Sequence, residues 1–254
     1  MNQNQSARDF SSQTIVIAGA AAGIGKAAAK LIHARGGTVI ALDLSEVGLR
    51  VLQGELGLDD SQVHVIDVSV EESVRATFTT IEASHGQIHA LINSVGVTGP
   101  TNIMVENIPW SDIEKTLTIN LYSTIWMTQA VLPQMKLNKY GRIVHMASIA
   151  GKEGNPGMTA YNVSKAGVIG FVKGVAKEVA PLGITINAVA PAVINTEINA
   201  NTNPETLKYM ISRIPMGRLG EVDEIAEMLA FIASSACSFT TGFTFDASGG
   251  RATY

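Results

Sequence analysis

Apolar residues recur along the chain in runs of two kinds. Thr14–Gly19, Thr38–Asp43, Val63–Asp67, Ile88–Asn93, Arg142–Ser148 and Ile184–Ala190 are short and apolar nearly throughout. That is the pattern of strands covered on both faces. Phe243–Asp246 has the character of a last strand. Between them lie longer amphipathic stretches, which predict helices over Ile24–Arg35, Ser45–Leu56, Glu71–Ser84, Ser111–Met135, Ala160–Ala180 and Val222–Ala233. The alternation of strand and helix predicts an α/β fold: one doubly wound parallel sheet of about seven strands with helices on both faces.

The spaces between these elements refine the picture. Residues 1–13 are polar, carry no apolar signal core, and read as a frayed tail before one domain over residues 14–254. The longest irregular stretch is 192–217, which holds Pro204 and Pro215. A loop of that length in a compact domain is usually a lid or binding loop.

Composition excludes several classes. With 254 residues, 46% hydrophobic and 16% charged, the chain has enough apolar residues for one large core. A net charge of −4 and no basic block argue against nucleic-acid binding. No stretch approaches the ~20 apolar residues that cross a bilayer. The single cysteine, Cys237, excludes an internal disulfide and favours a reducing, cytoplasmic setting.

The first candidate chemistry sits where the first strand meets the first helix. Gly19, Gly23 and Gly25 occur in Gly-Ala-Ala-Ala-Gly-Ile-Gly, with Ile24 opening the helix. Such glycines allow a tight turn and close approach of backbone to a pyrophosphate, which the helix N-terminus then attracts. The spacing is G-x-x-x-G-x-G, and its place at a strand-to-helix junction raises its weight. It marks the sheet as Rossmann-type. Asp43 ends the second strand, where a carboxylate accepts hydrogen bonds from the ribose hydroxyls of NAD and repels the 2′-phosphate of NADP. Asp67 and Val68, after the third strand, are placed to meet the adenine, or else form an ordinary turn into a helix.

The second candidate is Tyr161-Asn162-Val163-Ser164-Lys165. Tyr161 and Lys165, four apart, share one helix face. A cation one turn away favours the phenolate and draws the tyrosine towards neutral titration. Ser148 ends an apolar run upstream, where a strand presents its hydroxyl. Alone, this spacing is common in helices; the surrounding motifs give it meaning.

Together the motifs resemble the short-chain dehydrogenase/reductase family over nearly the whole chain. The family's glycine loop matches Gly19, Gly23 and Gly25, and its motif after strand four matches Asn93-Ser94-Val95-Gly96. Its helix asparagine matches Asn120, and its serine, tyrosine and lysine match Ser148, Tyr161 and Lys165. Its Asn-x-x-x-Pro-Gly segment matches Asn187 to Ala192, followed by Ile194 and Thr196. Ala18 stands where a threonine is usual, Ser94-Val95 replaces Asn-Ala, and Ala192 replaces glycine. That threonine usually supports the strand-four motif, so the first two departures concern one junction.

The resemblance implies hydride transfer between an alcohol carbon and nicotinamide, with NAD as cofactor. Tyr161 exchanges the hydroxyl proton, and Lys165 lowers its pKa and binds the ribose. Ser148 holds the substrate oxygen, and Asn120 holds a water that links Lys165 to solvent. Asn93, Ile194 and Thr196 join the glycine loop, Asp43, Asp67 and Val68 in holding the cofactor. Gly167, Gly170 and Gly174 share a face of the Tyr161 helix, which in the family packs on a symmetry mate, so a homotetramer is expected.

Residues 149–156 and 248–254 resemble a bacterial branch that oxidises 2-keto-3-deoxy sugar acids at C4, such as 2-keto-3-deoxy-L-fuconate or -L-rhamnonate. The polar strip Lys152 to Asn155 suits a polar alcohol or ketone, or else is a solvated loop, and Arg251 is placed to reach a substrate carboxylate, in its own or a neighbouring subunit. The alternatives are a 3-oxoacyl-carrier-protein or other carbonyl reductase, and a non-catalytic NAD-binding regulatory protein. His85 and His89 lack further ligands, so no metal is expected. His145 lacks the surrounding elbow of a hydrolase and reads as a core residue.

Overall fold

The computed structural model describes residues 10–196 and 203–254. Seven strands form one parallel sheet: β1 (Thr14–Ala18), β2 (Thr38–Asp43), β3 (Val63–Val65), β4 (Ala90–Asn93), β5 (Gly141–Met146), β6 (Ile184–Pro191) and β9 (Thr244–Ala247). Their order is β3-β2-β1-β4-β5-β6-β9. The chain therefore builds outward from β1 to one edge, then returns to β4 and builds to the other. The reversal opens a crevice at the carboxyl ends of β1 and β4, where doubly wound sheets bind ligands.

Alternation along each strand separates two apolar layers. Ile15, Ile17, Val39, Ala41, Ala90 and Ile92 face one side, with Ala28, Ala29 and Ile32 of α1 (Gly23–Ala34) and Ile225, Leu229 and Ile232 of α9 (Val222–Ala233). Val16, Ala18, Ile40, Leu42, Leu91 and Ile143 face the other. There they meet α3 (Glu71–His85), α5 (Ser123–Asn138) and α7 (Thr159–Val179) through Phe78, Met127, Val131, Val168 and Val172. Such two-sided burial is why the strands are apolar throughout. The helix α2 (Glu46–Leu56) starts where expected because the Ser45 hydroxyl accepts from Gly48 N at 3.2 Å.

Several boundaries differ from the expected ones. Phe10 is fully buried against Ile32 and Gly37, and its amide donates to Arg35 O at 3.2 Å, so residues 10–13 are packed on the fold. The remaining tail, residues 1–9, lies outside the described residues. The stretch 192–217 is not simply irregular. Ile194–Asn195 (β7) pairs in parallel with Gly220–Glu221 (β8), and Pro204–Ser212 forms α8, capped by Asn203 accepting from Glu205 N. Residues 197–202 of that stretch lie outside the described residues.

The helix expected over Ser111–Met135 is broken. Trp110–Leu117 (α4) runs into a π turn at Thr118–Tyr122 before α5 begins. Hydroxyls crowd this region: Thr116, Thr118, Ser123 and Thr124 each donate to the carbonyl four residues back. Such back-bonding shares acceptors with the helix ladder and distorts it. The last strand also shifts by one residue, to Thr244–Ala247.

Replacing Phe10 by alanine removes a fully buried ring and should destabilise the protein by about 3–5 kcal/mol in chemical denaturation. A loss within experimental error would show that residues 10–13 are not part of the folded unit.

Candidate active site

The glycine turn follows β1, and each glycine has a steric reason. Gly19 and Gly23 have φ of +81° and +52°, in the left-handed region. A Cβ on Gly25 would lie 2.0 Å from Gly19 O. At α1, the N-cap residue Ala22 makes no side-chain capping bond and the first turn holds no acidic residue. Its first N–H groups and positive dipole end suit an anion. A Cβ on Gly23 would sit 3.6 Å from Thr196 Cγ2, so Thr196 faces the turn. Ile24 lies partly buried against the core beneath.

Asp43 ends β2 beside this turn. Its Oδ2 accepts from Ala21 N at 3.0 Å and its Oδ1 from Ser45 N at 2.9 Å. The carboxylate is thus fixed in orientation with lone pairs to spare. A cradle of glycines and alanines, a bare helix N-terminus and an oriented carboxylate fit a dinucleotide with a free ribose 2′-hydroxyl.

The other cofactor candidates take different positions. Asp67 is exposed and accepts from Ser69 N at 2.9 Å and Ser69 Oγ at 2.6 Å, which holds its carboxyl below the usual range. Val68 beside it is buried. Asn93 acts from behind the crevice: its amide donates to Thr124 Oγ1 at 3.0 Å and accepts from Val95 N at 3.1 Å. Ile194 is buried, and its Cδ1 would strike a Cβ placed on Gly220.

At the ends of β4, β5 and α7 the structure collects Asn120, Ser148, Tyr161 and Lys165. Ser148 lies just past β5, with Ala147 N and Ile149 N on either side bonded to Val189 O and Pro191 O of β6. Its hydroxyl accepts from Ala150 N at 3.1 Å and also bonds the Tyr161 phenol. Lys165 is buried and donates from Nζ to Met146 O at 2.7 Å. Its ammonium is 5.8 Å from the Tyr161 ring centre. Burial lowers the lysine to about 8.

One expectation changes here. The spacing of Tyr161 and Lys165 predicted a lowered phenol. In the unliganded protein, burial outweighs the Ser148 bond and pushes Tyr161 up. Lys165 donates to the Met146 carbonyl and is itself desolvated. The Asn120 side chain is well anchored: Oδ1 accepts from Val97 N at 2.8 Å, and Nδ2 donates to Val97 O and Ser164 Oγ, each at 2.9 Å.

The polar strip is likewise engaged. The short helix α6 (Ala150–Glu153) carries Lys152, whose Nζ pairs with Asp246 at 2.7 Å. Arg251 pairs with Glu153 at 3.0 Å and donates to Asn155 at 3.0 Å. Tyr254 donates its hydroxyl to Lys152 O. Within one chain, therefore, Lys152 and Arg251 brace the loop after Ser148, and the strip is no longer an argument for a polar substrate.

Other residues of the site were not singled out in the sequence. Ser164 links the catalytic candidates: its hydroxyl accepts from Asn120 and donates to Tyr161 O at 2.8 Å. A Cβ on Gly151 would lie 2.6 Å from the Lys165 carbonyl carbon, so only glycine lets α6 reach α7 there. A Cβ on Gly96 would meet Lys165 Nζ at 3.1 Å. The serine inside the Tyr-to-Lys run and Gly96 at the end of the strand-four motif were usable signals; Gly151 carries none without tertiary contacts.

The remaining histidines have local partners. His85 Nε2 bonds Ser61 O at 2.8 Å, and His89 Nδ1 accepts from Thr14 N at 3.0 Å. His145 is fully buried beside Thr128, and burial depresses it to about 3, so it stays neutral.

A glycine cradle at the switch point of a parallel sheet, facing a serine–tyrosine–lysine cluster, defines an NAD-dependent oxidoreductase. The chain belongs to the short-chain dehydrogenase/reductase family. Residues 19–252 match a family model described as enoyl-(acyl carrier protein) reductase. The chain is 43% identical over 245 residues to a 2-dehydro-3-deoxy-L-rhamnonate dehydrogenase (NAD(+)) of Sphingomonas sp. (strain SKA58), covering 96% of this chain and 97% of that protein. It is 39% identical over 236 residues to a 3-oxoacyl-[acyl-carrier-protein] reductase of Vibrio harveyi, covering 92% and 95%. The crystal structure of gox2181 superposes with a TM-score of 0.91 at 31% identity, covering 98% of each chain. Among the described residues, no helix is long and apolar enough to cross a membrane.

Lys165 predicts a pH signature. Its folded pKa of about 8 lies below its ordinary 10.5. The unfolded chain therefore binds more protons between those values, so stability is full above 10.5 and declines as pH falls to about 8, by on the order of 3 kcal/mol. In denaturation from pH 7 to 10.5, the wild type should gain stability relative to Lys165→Met as pH rises. Parallel curves would show that the buried ammonium carries no such cost.

Proposed function

We propose that the protein oxidises a secondary alcohol of a 2-keto-3-deoxy sugar acid at C4, passing hydride to NAD⁺ in sugar-acid catabolism. The observation that carries this reading is Asp43, oriented by Ala21 N and Ser45 N beside the glycine turn. A carboxylate there favours a free ribose 2′-hydroxyl over a phosphate and so an NAD-linked oxidation. The 43% identity to an NAD⁺-linked 2-dehydro-3-deoxy-L-rhamnonate dehydrogenase supports the substrate class. The 3-oxoacyl-carrier-protein reductase reading is kept by relatives at 37–39% identity.

In this reading Gly19, Gly23, Ile24 and Gly25 hold the pyrophosphate, and Asp43 holds the adenosine ribose. Asp67, Val68, Asn93, Ile194 and Thr196 shape the rest of the cofactor crevice. Ser148 holds the substrate oxygen against the Tyr161 oxygen, which takes the alcohol proton in its phenolate form. A bound dinucleotide would supply the hydride acceptor and, in its oxidised form, a positive charge. That charge and the Lys165 ammonium oppose the burial that otherwise holds the Tyr161 phenol protonated. Lys165 also binds the nicotinamide ribose. Asn120 braces the Tyr161 helix through Ser164 and keeps the Val97 backbone in place.

The same reading makes the protein a cytoplasmic homotetramer. Open space over Gly170 and Gly174 and the exposed Val163 on α7 leave room for a second copy of that helix. Size-exclusion chromatography at micromolar concentration should give a tetramer; a monomer would overturn this part.

The enzymatic reading predicts that 2-keto-3-deoxy-L-rhamnonate with NAD⁺ gives NADH absorbance at 340 nm. Acetoacetyl thioesters with NADPH should give little turnover. The reverse outcome would favour the reductase. Tyr161→Phe should keep NADH binding and lose turnover by at least about 100-fold. Near-normal turnover would remove Tyr161 from the chemistry.

A further inference from the structure

The switch-point crevice has two walls, and they are joined unequally. On the β2 side the glycine turn is tied by three amides: Gly19 N and Ala20 N donate to Leu42 O at 2.8 and 3.1 Å, and Ala21 N donates to Asp43. On the β4 side the ties converge on Ser94, the residue just past that strand. Its amide donates to Ala18 O at 2.9 Å. Its hydroxyl donates to the same carbonyl at 2.7 Å and lies 3.3 Å from Gly19 O.

The hydroxyl also fills the space between two glycines. A Cβ on Gly19 would come within 2.6 Å of Ser94 Oγ, and one on Gly25 within 2.4 Å. Both glycines thus make room for this oxygen as well as for a close-approaching phosphate. The first strand ends in Ala18, which has no hydroxyl of its own to offer across the junction. The bond is supplied from the opposite wall.

We infer that Ser94 is a positioning residue for the cofactor: its hydroxyl sets the glycine turn at a fixed spacing from the β4 loop. The glycine turn and the β4 loop, which form the two walls of the crevice, are thereby held as one unit. Ser94 acts through the turn backbone. The inference rests on the cofactor-holding role of the glycine turn.

The test is fluorescence titration of NADH onto the wild type and Ser94→Ala, with steady-state kinetics alongside. The variant should bind NADH about fivefold to tenfold more weakly, as loss of one hydrogen bond at a packed junction implies. The KM for NAD⁺ should rise in step. At saturating NAD⁺, kcat and the KM for the alcohol should stay within about twofold, because the proton-transfer groups are untouched. The unliganded melting temperature should fall by no more than about 2–4 °C. If Ser94→Ala fails to fold, Ser94→Cys, of similar size but a weak donor, is read by the same criteria. Equal NADH affinity in variant and wild type overturns the inference, as does a loss confined to kcat. Failure of the wild type to bind NADH would instead overturn the reading on which the inference rests.

Discussion

A parallel sheet that grows from its middle in both directions must part where the directions diverge. In this protein the parting lies between β1 and β4, and the candidate site residues are arranged around it. The glycine turn closes one wall, Asn93 and Ser94 the other, and α7 brings Tyr161 and Lys165 across the opening. The strands below supply no chemistry. Their two-sided apolar burial makes a stiff floor, so short loops at the strand ends keep their positions without much structure of their own.

Stiffness matters because the site contains groups that water would stabilise. A buried ammonium at Lys165 and a phenol shielded at Tyr161 are both unfavourable in their charged forms. The fold answers with fully satisfied neighbours. Asn120 has each amide end engaged, Ser164 both donates and accepts, and Met146 gives its carbonyl to the lysine. A buried polar network of this kind specifies one arrangement only when its members are paired. Burial keeps the Tyr161 phenol protonated within this network.

The strand pattern and the glycine junction were legible because they depend on local rules: period two, turn chemistry and helix ends. The cluster of Asn120, Ser148, Tyr161 and Lys165 was legible through family motifs. Less legible was anything set by distant contacts. The π turn at Thr118–Tyr122 arises from hydroxyls competing for helix carbonyls, and a hydrophobic pattern does not register it. The packing of Phe10 depends on Gly37, far along the chain. Lys152 and Arg251 looked like substrate contacts because sequence shows charges without their partners; Asp246 and Glu153 neutralise them.

Those two ion pairs also bear on the order in which the molecule is completed. Lys152 and Asp246 are 94 positions apart, and Glu153 and Arg251 are 98. On a ribosome adding roughly 5–20 residues each second, the loop after Ser148 emerges several seconds before the residues that brace it. The sheet can close from β1 through β6 in that interval, but the serine loop waits for the last strand and the segment beyond it. The centre of the molecule is thus finished from its periphery, by residues made 94 and 98 positions after the ones they pair with.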